Sequence, residues 1–150
     1  MMTDLESNAK EYVNMVWNTL FDQSLAAADQ GLNPQEEESR LGIVSISGKW
    51  NGFVNIYLPS PLAVLAAEKM FFLEPGASSQ SEVQDAVGEI INMIGGNIKA
   101  ILPEPNQLST PDVIWNAATY AWPERLDLLA DLSFKSTCGQ TLKVQIRQKA

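Results

Sequence analysis

Carboxylates, amides, hydroxyls and lysine are the side chains left to do chemistry in this 150-residue chain, because it contains no histidine. Ser-His-Asp and Cys-His catalysis, imidazole-based zinc sites and phosphohistidine relays are thereby excluded. The single cysteine, Cys138, has no intrachain partner and no imidazole to activate it, so it reads as a turn residue within Thr137-Cys138-Gly139-Gln140. The remaining polar groups converge in one segment, Gln80 to Leu102. With Asp85 set at zero and about 100° per residue, Glu89 falls near ~40°, Asn92 near ~340°, Gly96 near ~20° and Lys99 near ~320°, one narrow stripe. Val83, Ala86, Val87, Ile90, Ile91, Ile94, Ile98 and Ile101 occupy the opposite arc, roughly 100° to 240°, which must be the core side. Asp85, Glu89 and Asn92 point to solvent together.

Two features argue that this stripe is more than a solvated face. Asp85 and Glu89 are like charges at i,i+4, which costs a helix about 0.2 to 0.5 kcal/mol. Gly88, Gly95 and Gly96 each cost about 1 kcal/mol relative to alanine in a helix interior. Gly88 and Gly96 lie on or beside the stripe, where a missing side chain permits close approach by another backbone. The plainer alternative is a helix kinked or broken at Gly95-Gly96 with an ordinary polar face, and helical geometry alone leaves both readings open.

The segment is bracketed by clear signals. Ser79 followed by Glu82 is a capping box, and Pro103 and Pro105 end the helix. Upstream, Thr3-Asp4-Leu5-Glu6 has the same capping spacing, and Leu5, Ala9, Tyr12, Val13, Val16 and Leu20 continue as a first helix that should fray before Gly31-Leu32-Asn33-Pro34. Glu36-Glu37-Glu38 reads as a solvated loop rather than a cation site. Leu41 to Ser47 and Gly52 to Leu58 predict a hairpin across Gly48-Lys49-Trp50-Asn51. Ser60-Pro61 predicts a capping hydroxyl ahead of a second helix that stops near Leu73-Glu74-Pro75-Gly76. Asn106 to Pro111 reads as a loop, and Asp112 to Trp122 as a strand and a turn. Leu128, Ala130, Leu132 and Phe134, then Leu142, Val144 and Ile146, alternate as the strands of a second hairpin. The basic residues Lys135, Lys143, Arg147 and Lys149 read as a solvated strand face more readily than as a dock for an acidic partner. Two hairpins and long amphipathic helices make the expected class α+β, with long helices packed on an antiparallel sheet in a single domain spanning residues 1–150.

Size and charge agree. A 150-residue chain with 45% hydrophobic and 19% charged residues is an ordinary globular domain. Its formal charge of -8 repels phosphate backbones and anionic lipid, so neither nucleic acid nor a membrane is an expected partner. The start Met1-Met2-Thr3-Asp4 lacks a basic, apolar leader pattern, and cytoplasm is the expected location. Trp17, Trp50, Trp115 and Trp122 could together line a small-ligand pocket, although scattered aromatics are more often core or dimer contacts.

The run Asp85-Ala86-Val87-Gly88-Glu89-Ile90-Ile91-Asn92 resembles the acidic-x-x-x-Glu-x-x-Asn signature of the CheC/CheX/FliY chemotaxis phosphatases. The wider order resembles CheX as well: an N-terminal helix, the Gly42 to Leu58 hairpin with Gly48 and Gly52, a helix from Ser60, the signature helix, then Leu108-Ser109-Thr110-Pro111 before the final strands. A single copy of the signature points to CheX, since CheC proteins usually carry two. The interval from Asn92 to Pro111 departs from the family pattern in being shorter.

The resemblance implies a CheC-like fold and hydrolysis of the aspartyl phosphate of a CheY-like response regulator, in chemotaxis or related two-component signalling. In such proteins the signature helix enters the regulator's active site. Glu89 would pair with a regulator lysine, Asn92 would orient the attacking water, Asp85 would support them, and Gly88 and Gly96 would let the partner approach. No cofactor would be bound by this chain, Mg2+ being supplied by the regulator. A homodimer joined through β-strands is also implied. The alternative is a non-catalytic binding module of the same fold, like the flagellar switch domains. Phosphoryl transfer suits the composition, because it needs positioning and charge stabilisation more than a covalent nucleophile.

Overall fold

The computed structural model describes residues 3–29 and 31–150; Met1 and Met2, part of the start read above for a leader pattern, lie outside the described residues, as does Gln30. Three helices pack on one face of a seven-stranded antiparallel sheet. No helix is long and apolar enough to cross a membrane among the described residues.

Helix α1, Asp4–Phe21, starts at Thr3, whose hydroxyl accepts the Glu6 N–H at 3.1 Å. It stops well short of Gly31, because Asp22 turns left-handed and closes the last turn onto the Asn18 carbonyl. The chain then folds back, with Asn14 accepting the Leu25 N–H, and a two-residue strand, β1 (Ala26–Ala27), joins the sheet edge. Strands β2 (Ser39–Gly48) and β3 (Gly52–Pro59) form the expected hairpin. Gly48 at its corner has φ +130°, a conformation suited to glycine, and the Asn51 amide bonds back to it.

Helix α2 (Ser60–Met70) corrects one expectation. Ser60 is the first helical residue and caps nothing; Pro59 precedes the helix while still paired with Ser39. The Ser60 hydroxyl instead accepts from the buried Arg40, which also donates to Glu38 and to the Trp115 carbonyl. A buried guanidinium needs acceptors, and that need outcompetes the cap.

Helix α3 (Gln80–Lys99) has the complete capping box of Ser79 and Glu82. Its far end is capped by the Asn106 amide, which donates to the Lys99 and Pro103 carbonyls. The stretch expected as a loop contains strand β4 (Asn106–Leu108), paired with Ile46 to Gly48. Strand β5 (Asp112–Ile114) and a 3-10 turn at Ala117–Thr119 follow as expected. Strands β6 (Leu126–Lys135) and β7 (Thr141–Lys149) form the second hairpin, with Cys138 exposed in its turn. The sheet runs β1-β6-β7-β3-β2-β4, with β5 also on β2.

The inward residues of the central strands, Val44, Val54, Ile56, Val144 and Ile146, meet α1 and α3 in the main core. Leu128 breaks the predicted alternation: a register shift between Leu128 and Ala130 leaves it 47% exposed, while Ala130, Leu132 and Phe134 are buried. The four tryptophans share no pocket. Trp17 packs on Phe21, Trp50 lies buried at the first hairpin, Arg40 stacks on Trp115, and Arg147 stacks on Trp122. Lys143 and Lys149 pair with Asp131 and Glu124, and Arg147 donates to Gln145, so part of the basic strand face is occupied within the chain, while Lys135 is exposed.

Candidate functional site

Helix α3 presents its two faces as the sequence pattern requires. Val83, Ala86, Val87, Ile90, Ile91, Ile94 and Ile98 are buried, whereas Asp85 and Glu89 are exposed and Asn92 is half-buried. Ile101, expected on the core arc, lies beyond the helix end and is only half-buried. Residues three and four apart on a helix have Cβ atoms about 5 to 6 Å from each other, so Glu89 can act together with either neighbour on one target.

The helix runs unbroken through Gly95 and Gly96, so it does not break there. A Cβ at Gly95 would stand 2.5 Å from Val44 Cγ2, and one at Gly42 would stand 3.0 Å from Val87 Cγ1. These two glycines let α3 lie close on β2. Gly96 is exposed, and beyond its own helix backbone nothing among the described residues lies within 4 Å of a Cβ placed there. Gly88 is buried beside Pro111 and Val113 of the same chain.

A bulge brings Pro111 there. Ile46 pairs with Leu108 and Ile43 with Asp112, so Val44 and Ser45 face three residues, Ser109, Thr110 and Pro111. Ser109 holds the bulge to the sheet by exchanging backbone and side-chain hydrogen bonds with Ser45 at 2.9 Å. Thr110 and Pro111 lie outside the paired register, a place that suits proline, which has no N–H to donate.

Beside the polar stripe lies an open groove of about 730 Å3. Helix α3 contributes Gln84, Asp85, Gly88, Glu89 and Asn92 to it; Pro111 and Val113 come from the bulge and β5, and Phe71 from the end of α2. Asp85, Glu89 and Asn92 enter no ion pair or side-chain hydrogen bond among the described residues. Two carboxylates and an amide with no cation lining the groove make a surface that attracts a positively charged group and can hold water. A hard divalent ion takes about six or more oxygen ligands. No group of three or more Cys, Asp or Glu side chains could hold a metal ion among the described residues.

The α2 end has an unusual corner. Phe72 has φ +55°, and the Leu73 N–H bonds to the Glu68 carbonyl at 2.9 Å, the pattern that usually places glycine at Phe72. A non-glycine side chain in that region costs about 1 to 2 kcal/mol. The Glu68 carboxylate also accepts the Gly76 N–H at 2.8 Å, tying down the loop that follows.

The sequence pattern therefore located the stripe but not its surroundings. Pro111 stood within a recognisable motif, yet its contact with Gly88 depends on the bulge. The adjacent Phe71-Phe72 carries a signal in the sequence: two large aromatics at a helix end, outside the apolar stripe of α2.

Residues 40–126 match the family described as chemotaxis phosphatase CheX, a span that contains α3 and the whole groove. No curated protein matches the chain. Among solved structures, chemotaxis protein CheX from Vibrio vulnificus is 21% identical over 97% of this chain and 96% of its own, with a TM-score of 0.77. A CheC-like superfamily protein from Shewanella sp. PV-4 is 22% identical over 100% of both chains, with a TM-score of 0.78. CheX in a complex with CheY, BeF3 and Mg2+ from Borrelia burgdorferi is 19% identical over 99% of this chain and 100% of its own, with a TM-score of 0.77. At such identities the likeness is one of fold.

Proposed function

The chain belongs to the CheX family of chemotaxis phosphatases, and on that footing we propose that it hydrolyses the aspartyl phosphate of a CheY-like response regulator. The observation that carries this reading is the groove: Asp85, Glu89 and Asn92 line it together with no internal partner among the described residues.

Glu89 is the docking carboxylate, pairing with a lysine of the regulator. Asn92 holds the attacking water, which it can both donate to and accept from without titrating. Asp85 supports Glu89 by adding negative charge one turn away. Gly96, and Gly88 where it lines the groove, keep the helix surface low for the partner's chain. The water oxygen bonds to phosphorus as the bond to the aspartyl oxygen breaks, releasing inorganic phosphate and the regulator's free carboxylate. Mg2+ belongs to the regulator and supplies charge neutralisation at the phosphoryl oxygens. This chain's contribution is orientation, worth several kcal/mol when water is held in line. Two copies pair through β-strands, leaving one signature helix accessible in each.

The test is phosphate release from phosphorylated CheY-like regulators mixed with the purified chain. Accelerated loss that depends on Asn92 supports catalysis. Binding without acceleration supports the non-catalytic module, a use that the fold alone also permits.

A further inference from the structure

We infer that the Phe71-Phe72 corner is an apolar anchor that seats in a hydrophobic pocket on the response regulator, next to the regulator's aspartyl phosphate. The inference rests on the phosphatase reading above and adds how the partner is held.

The exposed large hydrophobic residues among those described are Met15, Phe71, Phe72 and Leu128, and two of the four are consecutive at this one corner. Phe71 lines the same groove as Glu89 and Asn92, so the apolar surface is continuous with the polar stripe. Phe72 is 95% exposed and sits in left-handed backbone. Neither its exposure nor its conformation helps the fold. The corner is nevertheless held rigidly, because Glu68 accepts the Leu73 N–H with its carbonyl and the Gly76 N–H with its carboxylate. An exposed aromatic pair on a held corner, Phe71 lining the groove with the charged stripe and Phe72 following it in the chain, has the composition of an interface anchor: large apolar area, little entropy to lose, and charged contacts nearby to set orientation.

Charge selects the occupant. A second copy docking the same face two-fold would set Asp85 and Glu89 against their own equivalents, like charge on like. A regulator that presents a lysine at its phosphorylation site meets those carboxylates with the opposite sign. The apolar pocket is therefore assigned to the regulator.

The test replaces Phe72 by asparagine, which tolerates left-handed backbone and keeps the corner foldable. With a phosphorylated CheY-like regulator as substrate, Phe72→Asn is expected to raise KM by about tenfold or more, the range for loss of an aromatic anchor. Affinity for the regulator loaded with BeF3 and Mg2+ should fall by about the same factor, while Phe72→Tyr restores most of it. The thermal midpoint of Phe72→Asn should match or exceed that of the parent, which a structural role would not allow. Met15→Gln, the loss of another exposed apolar side chain on α1, should leave KM unchanged. If Phe72→Asn leaves KM and affinity unchanged while Asn92→Ala still abolishes turnover, the anchor is refuted and the phosphatase reading stands. If Phe72→Asn shifts only the oligomeric state, the corner belongs to a second copy and the inference is likewise overturned. If the parent neither binds nor dephosphorylates any CheY-like regulator, the phosphatase reading fails and takes the anchor with it.

Discussion

The ring of Pro111 lies 3.6 Å from the point where a side chain at Gly88 would begin, an ordinary van der Waals separation. Two turns further along α3, the same construction at Gly95 meets Val44 Cγ2 at 2.5 Å. The two glycines therefore have opposite tolerances although both are buried in one helix. Gly88→Ala should hold or raise stability by up to about 1 kcal/mol, the helix propensity gained. Gly95→Ala should lower it by about 1 to 3 kcal/mol, because α3 must move off β2. Denaturant unfolding of both variants decides the matter, and equal effects would show that the helix does not rest on the sheet at Gly95 as described.

Self-association is expected to run through the sheet. Strand β6 is covered on its outer side at Phe134 and Lys135 by β1 and at Ser133 by the Ala28 N–H, which leaves residues 126–132 as an open edge among the described residues. Open edges are templates for pairing with another strand. A solution mass near twice 16.5 kDa is expected. A single species at 16.5 kDa at micromolar concentration would remove the dimer from the proposal.

How much of this was legible in the sequence depended on whether the determining signal was local. Ser79, Glu82 and Pro103 bound α3 from within a few residues, and the 3.6-residue period assigns its faces, so the outward placement of Asp85, Glu89 and Asn92 is legible in the sequence alone. Strand β4 was missed because Asn106-Gln107-Leu108 is too short to show alternation and exists only by pairing with Ile46 to Gly48. Ser60 was misread because the competing demand came from Arg40, twenty residues earlier in the chain. Leu128 followed the alternation in sequence and lost it to a register shift that only pairing with β7 reveals. The aromatic pair Phe71-Phe72 is visible in the sequence, but the left-handed turn at Phe72 is not: the local rule places glycine where it stands, so the pattern gives no cue to the turn.

Alkaline pH should expose Tyr120. Its pKa is raised from the ordinary value of 10.0, first by burial and then by the nearby Asp112 carboxylate and Tyr57. The folded state thus holds the phenol proton more tightly than the unfolded chain does. The stability this contributes is complete below pH 10.0 and declines as pH rises through the raised folded value. Thermal midpoints taken from neutral pH upward should fall more steeply past pH 10.0 for the parent than for Tyr120→Phe, which has no proton to lose. Superimposable profiles would mean that Tyr120 titrates alike in both states.

The site itself yields the sharpest contrast, because one turn of α3 carries both an exposed and a fully buried position. Glu89 is exposed and Asn92 half-buried, and neither has an ion-pair or side-chain hydrogen-bond partner among the described residues, so Glu89→Ala and Asn92→Ala should each leave stability within about 0.5 kcal/mol. Their kinetics should differ. Asn92→Ala removes the group that orients water and should lower kcat with little change in KM. Glu89→Ala removes the partner of the regulator's lysine and should raise KM as well as lower kcat. Ile90, next to Glu89 in sequence, is 0% exposed. Ile90→Asp would bury an unpaired carboxylate and should cost more than about 3 kcal/mol, with activity lost through unfolding. Folding of each variant is read by circular dichroism and denaturant midpoint, and phosphate release is read on the same preparations. Alanine variants that fold and still dephosphorylate the regulator at the parent rate would transfer the reading to the non-catalytic module, since the stripe would then bind without performing the hydrolysis.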